Sequence, residues 1–181
     1  AAELIKGQYR YALWLSENDY KKLESNPIVK ERIARTYNHR IHSSAKGLAE
    51  RPWSFRDTNM TTTQSIMIPC HSSENREYLP MGIVGDDTII SNSAMAIYDA
   101  PIFLLGLLES RMHMTWMRAI GGKLETRYRY SAGLVYNTFP VPKISEQAKT
   151  EIEDCVFEIL DYREMSGKTL AELYDTKTMP E

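Results

Sequence analysis

Hydrophobic and polar positions in this chain change period several times, and each change marks an element. Residues 8–15, Gln-Tyr-Arg-Tyr-Ala-Leu-Trp-Leu, are rich in strand formers and predict a strand. Ser16 with Asp19 three residues on is a capping pair and predicts a helix through Leu23. Asn26-Pro27 restarts a helix with proline at its first position. Val29, Ile33, Tyr37 and Ile41 recur every four residues, so that helix should bury one face. Arg32, Arg35, His39 and His42 fall on its other faces. Residues 43–64 are loop-like. Residues 65–70, 78–84 and 88–98 read as strands separated by the polar turns 72–76 and 85–87, a meander of antiparallel strands.

The second half is more helical. Asp99-Ala100-Pro101 predicts a capped start to one mostly apolar helix over 102–120, stopped by Gly121-Gly122. Met112, Met114 and Met117 should fill gaps in a core rather than bind a metal. Residues 123–131 alternate as a strand, and 132–142 form a loop ending in Phe-Pro-Val-Pro. A strongly periodic helix follows over 145–166, with Ala148, Ile152, Cys155, Val156, Ile159 and Leu160 on one face, and Gly167 ends it. A short helix over 170–174 closes the pattern. The fold class expected is α+β: an antiparallel or mixed sheet with packed helices over 1–142, then the start of a helical segment over 143–181.

Composition narrows the class. The 181 residues are 43% hydrophobic and 25% charged, ordinary for a globular domain with a real core. No apolar run is long enough for a membrane span, and the opening residues are not a secretory signal. Two cysteines are too few for a disulfide framework, so a reducing cytoplasm is the expected setting. The first residue is alanine, and the chain is expected to be a piece of a longer protein. Net charge is -2 but uneven: 11 basic against 7 acidic residues over 1–60, 7 against 7 over 61–143, and 4 against 10 over 144–181. A basic front and an acidic tail suggest a polyanionic partner for the front. Basic side chains with interleaved aromatics at 28–56 and 111–129 fit either solvated faces or a nucleic-acid surface.

Catalytic signatures are missing. There is no Gly-x-Gly-x-x-Gly, no phosphate-binding loop, no Gly-x-Ser-x-Gly and no His-Glu-x-x-His. His39 and His42 lack a third ligand nearby, and the adjacent Cys70 and His71 would face opposite ways on a strand. The chain is therefore not expected to be an enzyme by itself.

Lys-Leu-Glu-Thr-Arg-Tyr-Arg-Tyr at 123–130 carries the most specific pattern. On a single strand Lys123, Glu125, Arg127 and Arg129 would share one face, and Leu124, Thr126, Tyr128 and Tyr130 the other. Glu125 and Arg127 then have two readings: a surface ion pair, or a pair that reads one G·C base pair. Arginine donates twice to guanine, and glutamate accepts from cytosine.

The run Arg-Tyr-Arg-Tyr-Ser-Ala-Gly-Leu-Val-Tyr-Asn-Thr-Phe-Pro-Val-Pro at 127–142 resembles the end of the target recognition domain of MmeI-type (type IIL) restriction-modification enzymes. The resemblance extends to residues 9–15, to Ser-Ser-Glu-Asn-Arg-Glu-Tyr-Leu-Pro at 72–80, to 99–101 with 110–116, and to 173–175 with 178–180. Val141 departs from the family pattern, where tryptophan is common. The resemblance implies sequence-specific recognition of double-stranded DNA. It also implies a partner in the same parent chain: a methyltransferase domain, to which the target adenine is presented. It implies no cofactor in this stretch, with S-adenosylmethionine and Mg²⁺ serving the parent, a DNA adenine methyltransferase fused to an endonuclease. In this family a Glu-x-Arg pair at this place is linked to the choice of one base, which marks Glu125 and Arg127 as base readers. Arg32, Arg35, Arg40, Arg51, Arg76 and Arg129 are candidates for phosphate contacts. The other class left open is a protein-interaction module, suggested by the acidic helix at 145–166.

Overall fold

The first strand, β1 (Gln64–Pro69), is buried along five of its six positions, because it is the middle of a sheet covered on both faces. The computed structural model describes residues 1–44 and 46–179. In chain order the helices are α1 (Ala2–Ile5), α2 (Glu17–Leu23), α3 (Pro27–Ile41), α4 (Ile102–Leu108), α5 (Arg111–Ile120), α6 (Glu146–Ser166) and α7 (Leu170–Leu173). The remaining strands are β2 (His71–Ser72), β3 (Gly82–Gly85), β4 (Ala94–Tyr98), β5 (Gly122–Leu124) and β6 (Arg127–Arg129). The α+β class is as expected. By compactness the chain forms two units, Arg10–Asn59 and a larger one made of Ala1–Tyr9 with the chain from Met60 on.

In the larger unit, β1 pairs antiparallel with β3 on one side and β4 on the other, giving the order β3-β1-β4. This is not the sequential meander that the strand spacing predicts. The two flanking strands are also shorter than predicted, since 78–81 and 88–93 lie outside the ladders. At Cys70 the chain leaves this sheet and enters a second one, ordered β2-β6-β5. The Tyr130 N–H donates to the Cys70 carbonyl at 2.9 Å and fastens the corner. Ile66, Ile68, Leu79, Met81, Leu105 and Leu108 join Met114, Met117, Tyr130, Val135 and Val156 in one buried cluster.

The helix expected over 102–120 is two helices. Ser110 takes an extended conformation and its hydroxyl accepts the His113 N–H, so it caps α5 just after α4 has ended. Asp99 does not cap α4. It sits at φ +51, and its carboxylate accepts from the N–H groups of Thr62 and Thr63 and from the hydroxyls of Thr61, Thr62 and Thr63. The Thr61 hydroxyl and those donors hold its carboxyl far below the usual carboxylate range. Met114 and Met117 are buried as core fillers, whereas Met112 is 49% exposed. Gly106 lets α4 and α6 touch: a Cβ there would stand 2.5 Å from the Ile152 Cγ2 and 2.9 Å from the Val156 Cγ2. On α6 only Val156 of the predicted apolar face is fully buried, with Ile152 and Leu160 half-buried and Cys155 and Ile159 exposed.

The smaller unit begins with residues 10–15, which form no regular element and pair with no strand among the described residues. Of their two aromatic side chains Trp14 serves side-chain packing, while Tyr11 is exposed. Trp14 lies 5.1 Å from Phe55, and Tyr20 stacks on Trp53 at 4.4 Å. Ser16 and Asp19 form the expected capping box on α2, and Asn26 caps α3 with Pro27 at its first position. Val29 is buried on α3, Ile33 and Ile41 are half-buried, and Tyr37 is exposed.

His113 is wholly buried, shares a 2.9 Å hydrogen bond with the Tyr130 hydroxyl, and meets Phe139 edge-on at 4.4 Å. Burial lowers its pKa to about 4. The unfolded chain, with an ordinary imidazole near 6.5, therefore takes up a proton that the folded chain refuses. Stability is fully present above about pH 6.5 and falls by about 3 kcal/mol as pH drops to about 4. Urea unfolding across this range should show the decline, and His113→Gln should flatten it. An unchanged slope in that variant would assign the loss to other groups.

Candidate functional site

The strand expected at 123–131 is a hairpin. β5 and β6 pair through Gly122 with Arg129, Lys123 with Tyr128 and Leu124 with Arg127, leaving Glu125 and Thr126 as a two-residue turn. Such turns need positive φ at a central residue, and Glu125 supplies it at +58° without the glycine that usually announces them. A non-glycine residue in that region is disfavoured by roughly 1–2 kcal/mol. The turn also exchanges odd and even. Pairing 124 with 127 puts Leu124 on the face of Arg127, while Lys123 stands opposite Tyr128. The expectation that Leu124 lies on the face opposite Arg127 is therefore corrected: the two share a face, and Leu124 is 45% exposed.

The sheet has two unlike faces. Tyr128 is half-buried and its partner Ser72 buried, so this side meets the core. His71, Arg129, Leu124 and Arg127 are exposed on the other side. Tyr130, held by His113, anchors the base of the hairpin. Glu125 and Arg127 are brought together: an Arg127 Nη donates to the Glu125 Oε2 at 2.7 Å, with side chains 74% and 52% exposed respectively. An exposed pair of this kind contributes about 0–1 kcal/mol, so it orients the guanidinium yet opens at little cost.

Glu74 belongs to this surface and was not singled out from the 72–80 motif in the sequence. Its carboxyl is held below the usual range by its own backbone N–H, by the Thr126 hydroxyl and by the charge of Arg127. The link arises because β2 delivers the 73–77 turn beside the hairpin. Arg118 fastens that turn from α5, donating to the carbonyls of Glu77 at 3.1 Å and Arg76 at 3.5 Å. Arg76 itself is half-buried in the same turn.

The other arginines lie in the smaller unit. Arg32 and Arg35 are exposed on one side of α3 with His39, and Arg35 pairs with Glu31 at 2.5 Å. Arg51 is exposed. Arg40 has a different job from the phosphate contact expected of it. It donates to the carbonyls of Leu48 and Arg51 at 2.9 Å and of Ser54 at 2.8 Å, so it organises the 48–54 loop. Burial first, and Arg51 second, lower its pKa. Residues 10–59 carry 10 basic and 6 acidic side chains, so the basic character of the front half coincides with this unit.

Among the described residues no three His, Cys, Asp or Glu converge to hold a metal, and no helix is long and apolar enough to cross a membrane.

Comparison with known proteins gives three likenesses. The family model described as MmeI, target recognition domain, matches residues 1–143. DNA methyltransferase A of Bacillus subtilis (strain 168) is 57% identical over 183 residues, covering 99% of this chain and 21% of that protein. The solved structure of the type IIL restriction-modification enzyme MmeI in complex with DNA is 42% identical with a TM-score of 0.91, covering 99% of this chain and 24% of that one. The chain thus spans between a fifth and a quarter of the length of these relatives.

Proposed function

This chain belongs to the MmeI target recognition domain family, and from that premise we propose that it reads a short sequence in double-stranded DNA through the exposed face of the β2-β6-β5 sheet. The observation that carries the proposal is the turn at its tip, where a glutamate occupies a disfavoured backbone conformation and holds Arg127 at 2.7 Å. Glycine would fill that turn with less strain, so the carboxylate has a use there. A two-stranded ribbon fits the major groove of B-DNA. Arg127 donates two hydrogen bonds to guanine O6 and N7, and Glu125 accepts from the N4 amino group of the paired cytosine. Arg129, Arg76, Arg32, Arg35 and Arg51 contact phosphates and supply affinity without sequence, while Arg40 supports Arg51 from behind.

In the parent protein, residues 143–181 begin the helical segment that follows, and the recognised duplex is presented to a methyltransferase domain outside these 181 residues. That domain flips an adenine from the stack and methylates its N6. S-adenosylmethionine, the methyl donor, and Mg²⁺, for a fused endonuclease, belong to those other parts; no acidic or histidine cluster among the described residues fits the metal.

Binding of a randomised duplex pool, followed by fluorescence anisotropy, tests the reading. With five phosphate contacts, affinity should fall about a hundredfold or more between roughly 50 and 200 mM salt. One observation favours a second reading, a protein-docking module: Phe157, Ile159, Tyr162 and Met165 are exposed on α6 among seven acidic side chains. Folded protein that binds no DNA at low salt would favour it.

A further inference from the structure

We infer that Leu124 reads the 5-methyl group of a thymine in a base pair next to the G·C pair that Arg127 reads. The inference rests on the proposed DNA reading and adds to it a contact of different chemistry. Leu124 is the last residue of β5, directly opposite Arg127 and on the same face of the hairpin. Side chains so placed stand about 4.5–5.5 Å apart at Cβ, one to two base-pair rises of about 3.4 Å. A guanidinium on guanine O6 and N7 therefore carries the leucine to a base pair next to it.

The surroundings make the aliphatic group informative. Glu125, Thr126, Arg127 and Arg129 are all exposed about it, and Leu124 is 45% exposed. Nearly half of its surface is thus open, and it presents an apolar end among charges. On the floor of the major groove the apolar protrusion is the thymine methyl; every other base offers donors or acceptors there. Leucine has neither. Over a cytosine amino group or a guanine carbonyl it would displace water and return no hydrogen bond, so it rejects those bases as well as attracting thymine. The hairpin then reads by two means at neighbouring positions: charged hydrogen bonding through Glu125 and Arg127, and methyl contact through Leu124.

The test uses a duplex recovered from the randomised pool by this chain, with each thymine in turn replaced by uracil, which removes the methyl group and leaves the pairing intact. Anisotropy on wild type should show one position, next to the pair sensitive to Arg127→Ala, where uracil weakens binding about fourfold, the effect of one buried methyl. Leu124→Ala, whose site is on the surface and whose melting should match wild type, should bind the thymine and uracil duplexes equally. It should still discriminate at the pair read by Arg127. Methyl sensitivity that persists in Leu124→Ala, or is absent near that pair in wild type, overturns the inference while the DNA reading stands. Folded wild-type protein that recovers no duplex overturns the DNA reading and the inference with it.

Discussion

Replacing Arg163 with alanine is expected to destabilise the protein by about 3–5 kcal/mol, the cost of leaving one member of a buried ion pair behind. Arg163 lies near the end of α6 with its side chain 11% exposed, against 6% for Glu109. One terminal nitrogen donates to both Glu109 carboxylate oxygens at 2.8 Å and to the Tyr174 hydroxyl, and the other donates to the Met81 carbonyl at 3.1 Å. Glu109 also accepts from the Tyr174 hydroxyl at 3.1 Å and from the Met81 N–H at 3.2 Å. The cluster therefore joins the end of α4, the approach to β3, α6 and the residue after α7. Burial pushes the Glu109 carboxyl up, and Arg163 opposes that push. Without Arg163 the folded state should hold a proton on Glu109 more tightly than the unfolded state. The stability that proton supports is present at low pH and lost as pH rises through the folded value, so the deficit of Arg163→Ala should widen with pH. Urea unfolding near pH 5 and near pH 8 checks both parts. A loss under about 1 kcal/mol, or one that narrows with pH, would mean that water replaces the guanidinium.

Exchanging Glu125 for lysine together with Arg127 for aspartate is expected to change the base preferred at one position and leave the others alone. Swapping donor for acceptor reverses which side of a G·C pair each residue suits. The exchange keeps an ion pair across the turn, and both side chains are exposed, so folding should be unaffected. Arg127→Ala alone should lose about 1–3 kcal/mol of discrimination at that pair, roughly 5- to 150-fold. Duplexes recovered from a randomised pool by wild type and by the double variant, then measured singly, give the answer. Equal weakening on every duplex would make Arg127 a phosphate contact. An unchanged preference in a double variant that binds normally would remove Glu125 and Arg127 from the reading.

Several elements were legible because their signals are local. Ser16 with Asp19, Asn26-Pro27 and Gly167 act within one turn of backbone, and each stands where the sequence places it. The break at Ser110 was not read from the sequence, although serine is a good cap and stands between the charged Glu109 and Arg111. Residues 8–15 misled because aromatic and branched side chains favour strands only when a neighbour pairs with them. Here Trp14 finds Phe55 instead. Arg40 looked like its neighbours in sequence, and only the return of the 48–54 loop to its guanidinium separates its role from theirs.

The sequence by itself determined the α+β class, most helix starts and stops, the concentration of basic charge at the front, and the Glu-x-Arg pattern with its family resemblance. Caps, periodicity and charge are properties of short segments, and a distant residue overrides them only where it captures the side chain, as Thr61, Thr62 and Thr63 capture Asp99. The tertiary structure decided the order β3-β1-β4, the corner at Cys70, the Glu109–Arg163–Tyr174 cluster, the approach of Glu74 to Arg127, and the turn that puts Leu124 on the face of Arg127. Each of these depends on segments far apart in the chain, or on a backbone conformation that Glu125 adopts against its own preference. Alternation cannot show that a strand has turned back on itself, and a two-residue turn without glycine reverses which residues face outward.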